Sequence, residues 1–337
     1  MNAIMDKPIL GGTASAKQPL VIIRDLNVAF VTRDRTVHAV NGVDLDVGAG
    51  EVLCILGESG SGKSVTMRAL MRLLPRFARV SGRIEVAGQD VMAMEERGLQ
   101  RFRGGDVAMI FQEPMLALDP VFTVGRQIAE AVQRHEGASR SAGMARALEL
   151  LELVQIPSAK RRLDAYPHEL SGGLRQRAMI AVALACKPKL LLADEPTTAL
   201  DATVQIQVLL LLRQLQEQMG MGVIFVTHDL GVAGEIADKV AVMYAGRVVE
   251  EGPVGALMAG PLHPYPRGLL GATVHGNMRG QKLTTIPGAP PSLETLPTAC
   301  AFAPRCAEAE PACQTTLPEA RRPVPGRMAR CLKVAAG

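Results

Sequence analysis

The chain has 337 residues, a net charge of +4 and a hydrophobic content of 48%, enough for one large or two modest domains with real cores. It holds no run of about 18 or more apolar residues, so the sequence offers no bilayer-spanning helix. Aromatic residues make up 3% and Trp is absent, which leaves few stacking platforms for single-stranded nucleic acid; nucleic acid is not an expected partner.

Residues 1–19 lack an apolar stretch of signal-peptide length and read as a flexible, polar lead. The expectation is a cytosolic chain unless a partner holds it elsewhere. Beyond the lead, Val21-Ile22-Ile23, Val37 to Val40 and Val43 to Val47 alternate apolar and polar residues and predict strands of an antiparallel sheet.

The chain is organised around the next segment. Val52 to Leu56 is an apolar run that reads as a buried parallel strand, and Gly57-Glu58-Ser59-Gly60-Ser61-Gly62-Lys63-Ser64 follows with the spacing G-x-x-x-x-G-K-[ST]. Such a loop aims backbone N–H groups at a phosphate chain, and the helix it opens, predicted over roughly Lys63 to Leu74 with Val65 in its first turn, adds its dipole. Lys63 is expected to reach the β- and γ-phosphates and Ser64 to ligate Mg²⁺. The arginines at 68, 72, 76, 79 and 83 read as a solvated face. Phe30, upstream, has two readings, a stack on adenine or an ordinary core side chain.

Ile84 to Val86 and Val107 to Phe111 predict further strands. Gln112 follows the second and has two readings, a ligand of Mg²⁺ that orients water or an ordinary surface residue. From about 115 to 185 the pattern is helical, and Met144 to Ile156 carries a core-facing stripe at Ala147, Leu148, Leu150, Leu151 and Val154. Within this region Leu170-Ser171-Gly172-Gly173-Leu174 leads into an apolar helix. Ser171 is a good N-cap by type, and the two glycines bare the backbone to a phosphate. Leu190 to Asp194 reads as a second buried strand, ending in Asp194 and Glu195; the first suits a Mg²⁺ shell and the second a base that polarises water. Ala199-Leu200-Asp201, a helix to about Met219 and the strand Val223 to Thr227 lead to His228.

Taken together these segments resemble the ATP-binding subunit of an ABC transporter, in the family's order, over about residues 20–255. The resemblance implies an α/β P-loop NTPase of ABC type: a mixed core sheet, an antiparallel sheet and an inserted helical subdomain over about 115–185. It also implies ATP and Mg²⁺ as ligands, Glu195 as catalytic base and His228 on the γ-phosphate. Ser171, Gly172 and Gly173 would face ATP held by a second ABC subunit, a copy or a paralogue. Leu174 departs from the family's usual glutamine.

Thirteen of the 22 prolines follow Gly252, marking a loop-rich extension over 256–337. Gly260 to Pro266, Ile286-Pro287-Gly288 and the stretch from Cys300 to Cys306 resemble the C-terminal region of oligopeptide/dipeptide and nickel importer ATPases. That likeness implies two transmembrane permease subunits, an extracytoplasmic solute-binding protein and a peripheral position on the cytoplasmic face of the inner membrane. Cys54 and Cys186 read as small core residues, the latter within an apolar helix. Cys300, Cys306, Cys313 and Cys331, spaced C-x₅-C-x₆-C-x₁₇-C, need a reason in a segment with little core of its own. A metal would staple it; the resemblance suggests a [4Fe–4S] cluster, with zinc and free thiols as alternatives. A soluble ABC ATPase outside transport is the rival function, as is a module that holds ATP without turnover.

Overall fold

A computed structural model describes residues 19–198, 200–272 and 285–335. The expectation for the N-terminal lead, apart from Pro19, lies outside the described residues, as does Ala199. No helix among them is long and apolar enough to cross a membrane.

The three short N-terminal runs merge into two long strands, β1 (Val21–Val31) and β2 (Thr36–Val47), paired antiparallel across register shifts. The alternation that predicted them buries Val21, Ile23 and Val28 of β1. Next come β3 (Val52–Leu56) and α1 (Lys63–Leu70). The helix stops a turn earlier than its apolar pattern predicts, because Arg72 takes a positive φ of 48° and its N–H turns back to the Ala69 carbonyl. β4 (Ala78–Val86) and β5 (Gln89–Asp90) complete a four-stranded antiparallel sheet in the order β2-β1-β4-β5.

α2 (Glu96–Arg101) and β6 (Val107–Ile110) lead into the helical region: α3 (Pro114–Ala117), α4 (Val124–Glu136), α5 (Arg140–Leu153), α6 (Ala159–Arg162) and α7 (Gly172–Ala183). Thr123 and Ser139 cap α4 and α5 through their hydroxyls, which accept from Arg126 N and Ala142 N. Of the predicted stripe on α5, Ala147, Leu150 and Leu151 are fully buried. Cys186 lies beyond the end of α7 rather than within it, and its thiol reaches the Ala131 carbonyl at 3.6 Å.

The chain then returns to the central sheet through β7 (Leu190–Asp194), α8 (Ala202–Met219), β8 (Gly222–Thr227), α9 (Leu230–Ile236), β9 (Lys239–Tyr244) and β10 (Arg247–Pro253). The extension adds α10 (Val254–Ala259), α11 (Pro264–Gly271) and a hairpin, β11 (Arg321–Val324) and β12 (Arg327–Ala329). β12 pairs with β10, so an eight-stranded mixed sheet runs β11-β12-β10-β9-β3-β8-β7-β6. Its β9-β3-β8-β7-β6 portion is parallel.

β3 sits inside this sheet and is buried on both faces, as its unbroken apolar run requires. Leu53 and Ile55 pack toward the antiparallel sheet with Val21, Ile23 and Met67. Val52, Cys54 and Leu56 join the opposite cluster with Ile180 and Val208. Each fully buried Leu or Ile contributes roughly 2 kcal/mol, so the strand that carries the glycine loop is held from both sides.

Candidate active site

Parallel strands bring their carboxyl ends to one edge, where ligands gather in open α/β sheets. Here that edge carries Gly57 after β3, Gln112 shortly after β6, Asp194 and Glu195 at β7, and His228 after β8. A cleft of about 800 Å³ opens there, lined by Gly57, Glu58, Ser59, Gly60, Gly62, Lys63, Ser64, Val65, Gln112, Glu195 and His228. Such a volume lies within the usual range for small-molecule sites.

The loop itself is tightly fitted. Gly62 holds φ at +101°, and a Cβ there would come within 2.5 Å of the Ala39 carbonyl. Lys63 is buried and donates to the Gly57 and Glu58 carbonyls at 2.8 and 2.9 Å. Burial lowers its pKa, opposed by the nearby carboxylates of Glu195 and Asp194. No side chain caps α1 and no acidic residue occupies its first turn, so the positive end of the helix is not answered by a side chain of its own first turn. The hydroxyl of Ser61 is buried with no hydrogen-bond partner.

Ser64 Oγ donates to Asp194 Oδ1 at 2.7 Å. Burial raises the pKa of Asp194, and that hydrogen bond and Arg68 only partly offset it. A buried carboxylate short of positive charge, meeting a hydroxyl at the phosphate loop, suits a hard divalent cation. Glu195 has a positive φ of 45°, rare for a side-chain-bearing residue and typical of strained functional positions. Its Oε2 lies 3.3 Å from His228 Nδ1 and accepts from Thr198 Oγ1 at 3.0 Å. Acid, imidazole and lysine thus line one cleft with the glycine loop. Phe30, Val37 and Ala39 add apolar surface to the same cleft, the Phe30 ring lying 5.9 Å from that of Phe77.

The Ser171 segment does not line this cleft. Ser171 occupies the N-cap position of α7, but its hydroxyl caps nothing, contrary to the sequence expectation. It stays exposed and unspent, with Gly172 beside it. Gly173 is needed for packing as well as for bare backbone, since a Cβ there would meet Val204 at 2.8 Å. Leu174 packs against the main core, which gives an apolar residue at that position a physical place.

The metal staple expected in the extension is not supported. Cys300, Cys306, Cys313 and Cys331 form no disulfide, and among the described residues no three His, Cys, Asp or Glu side chains are grouped to hold a metal ion. The thiols are near enough that charge on Cys313 and Cys331 would raise the pKa of Cys300, which burial already raises. They serve as packing, Cys331 with Ala329 and Val334, Cys300 and Cys306 against the main core.

Other contacts, missed in the sequence, hold the extension. Arg305 is buried and forms a two-pronged ion pair with Glu58 of the glycine loop, at 2.8 and 3.1 Å. It also donates to the Pro287 carbonyl and to Tyr244 Oη, and Glu58 raises its pKa. Glu58 N–H donates to Tyr265 Oη at 3.0 Å. Tyr244, Tyr265 and Phe302 pack in tilted and edge-to-face contacts with centroids 4.7 to 5.3 Å apart. Glu250, fully buried on β10, accepts from Leu262 N, His263 N and Arg327. The only signal available was position: Arg305 lies between two cysteines that already marked the stretch as special.

A glycine loop on a doubly buried strand, an acid pair at the end of β7 and a helical insertion define an ATP-binding cassette. The comparisons agree. Residues 40–198 match the family described as ABC transporter, and residues 249–313 match the oligopeptide/dipeptide transporter C-terminal region. A Brucella melitensis protein described as a peptide import ATP-binding protein is 51% identical, over 90% of this chain and 94% of its own length. The oligopeptide transport ATP-binding protein OppD of Salmonella typhimurium is 46% identical, over 94% and 96%. A dimeric post-hydrolysis structure of the cassette MJ0796 bound to ADP and Pi superposes with a TM-score of 0.62 at 29% identity, covering 69% of this chain and 98% of that one. The chain belongs to the ATP-binding subunits of ABC transporters, in the branch that carries the oligopeptide/dipeptide transporter C-terminal region, and it is an ATPase.

Proposed function

We propose that this chain powers an importer for peptides or related small solutes. The single observation that carries the reading is the co-occurrence, in one chain, of the Glu195–His228 pair at the phosphate loop and the C-terminal region named for oligopeptide and dipeptide transporters.

In this proposal the phosphates of ATP lie on residues 57–65, with Lys63 leaving its carbonyl partners for the β- and γ-oxygens. Ser64, Asp194 and Gln112 hold Mg²⁺, which when bound neutralises charge developing on the phosphates. Glu195 takes the proton of the attacking water, and His228 orients Glu195 and meets the γ-phosphate. The free Ser171 hydroxyl, with Gly172 and Gly173, closes on ATP held by a second ABC subunit, so each reaction centre needs two chains. The tighter affinity of the closed pair for ATP drives closure, and hydrolysis releases it. Helices α3 to α7 and Gln112 pass this motion to two permease subunits, with a solute-binding protein delivering cargo and the chain seated peripherally on the inner membrane's cytoplasmic face.

Affinity purification from native membranes, followed by reconstitution into liposomes, tests this. Two permease proteins should co-purify, and peptide with its binding protein should raise ATP turnover several-fold. Turnover in the soluble chain that no membrane partner or peptide alters would overturn the transport reading in favour of a soluble ATPase.

A further inference from the structure

Besides the polar groups of the glycine loop, Gln112, Glu195 and His228, the cleft is lined by the apolar side chains of Phe30, Val37, Ala39, Leu269 and Leu293. Leu269 and Leu293 come from the C-terminal extension rather than from the cassette.

Both are fixed there by independent contacts. The Leu293 carbonyl accepts from His38 N at 2.8 Å, near the start of β2 between Val37 and Ala39, which line the same cleft. Arg35 reaches Glu294 beside it. Leu269 rides on α11, whose Tyr265 hydroxyl accepts from the Glu58 N–H of the glycine loop. The Arg305–Glu58 pair holds the extension to that same loop residue. An aliphatic wall without amide, hydroxyl or charge is suited to the face of a planar aromatic ring, and unsuited to phosphate or sugar.

We propose that the extension completes the nucleobase end of the ATP site, with Leu293 and Leu269 touching the base alongside Phe30, Val37 and Ala39. The proposal rests on the cleft being the ATP site. It makes the extension part of the substrate pocket, and it makes Leu293 a residue that contributes to ATP affinity without acting on the phosphates.

The test separates base from phosphate binding on the full-length chain. Calorimetric titration with MgATP and with magnesium tripolyphosphate, which lacks a base, compares wild type with Leu293→Asn and Leu293→Met. Leu293→Asn should weaken ATP roughly three- to tenfold, tripolyphosphate should bind within about twofold of wild type, and Leu293→Met should retain ATP. A second measurement needs no substitution: in wild type, MgATP should slow amide exchange at His38, whose N–H holds Leu293, more than tripolyphosphate does. ATP affinity untouched in Leu293→Asn, equal losses for both ligands, or equal exchange at His38 would each overturn the proposal. Wild type that binds neither ligand would instead overturn the ATP-site reading itself.

Discussion

Replacing Arg305 by Met removes one charge from a nearly enclosed ion pair and keeps most of the side-chain volume. The Arg305 side chain is 6% exposed and that of Glu58 is 27%. Breaking a buried pair by removing one partner costs about 3–5 kcal/mol, but Glu58 keeps some access to water and recovers part of that. The Pro287 carbonyl and Tyr244 hydroxyl also lose a charged donor. The expected cost is about 2–3 kcal/mol, borne by the docking of the extension on the glycine loop. Amide exchange of Cys300, whose N–H donates to the Cys313 carbonyl, should accelerate roughly thirtyfold to a hundredfold. Glu58→Gln combined with Arg305→Met should recover part of the loss, since no uncompensated carboxylate remains. Exchange at Cys300 within about threefold of wild type in Arg305→Met would refute the role of this pair in fastening the extension.

Glu195→Gln should lower ATP turnover by about 10²- to 10⁴-fold with ATP binding retained; single-turnover phosphate release measures it, and an unchanged rate would remove Glu195 from the role of base. Ser64→Ala, which deletes the hydroxyl bound to Asp194, should raise the Mg²⁺ concentration for half-maximal turnover at least about tenfold, while metal-free ATP binding changes little. Burial lowers the pKa of His263 from 6.5 to about 4, with Arg267 adding to the shift. The unfolded chain therefore binds the proton first, so stability is full above about 6.5 and falls as pH drops towards 4, by at most about 3 kcal/mol. Urea titrations from pH 7.5 to 4 should show this slope in wild type and a flatter one in His263→Asn, whose side-chain oxygen can still accept from Tyr265 N; equal slopes would exclude His263.

What the sequence disclosed and what it hid divide along a physical line. The strand β3, its glycine loop, β7 with its acid pair and β8 before His228 were legible because each is specified within a few neighbouring residues. A doubly buried strand must be apolar throughout, and a loop this tight must have glycine where Gly62, at positive φ, cannot bear a Cβ. Parallel topology then brings the strand ends together without further instruction. Ser171 was legible by type but not by use, since a serine before a helix is indistinguishable in sequence whether its hydroxyl caps the helix or, as here, is left free.

The fastening of the extension was illegible for a different reason. Arg305 and Glu58 are 247 residues apart, and neither carries a local pattern announcing the other. Cysteine spacing, by contrast, is conspicuous and suggested a metal, while the aromatic packing, the buried Glu250 and the ion pair that hold the segment left no such trace. A proline-rich stretch needs no core of its own when it can borrow one: Phe302 packs on Tyr244 at the end of β9, and β12 takes a place beside β10. That borrowing fixes the extension's position relative to the phosphate loop. It follows that Leu293 reaches the cleft because the cassette's own surface supplies the anchors, at His38 and Glu58. His38→Pro, which removes that backbone N–H, or a change at Glu58 should therefore move the apolar wall as surely as changes in the extension.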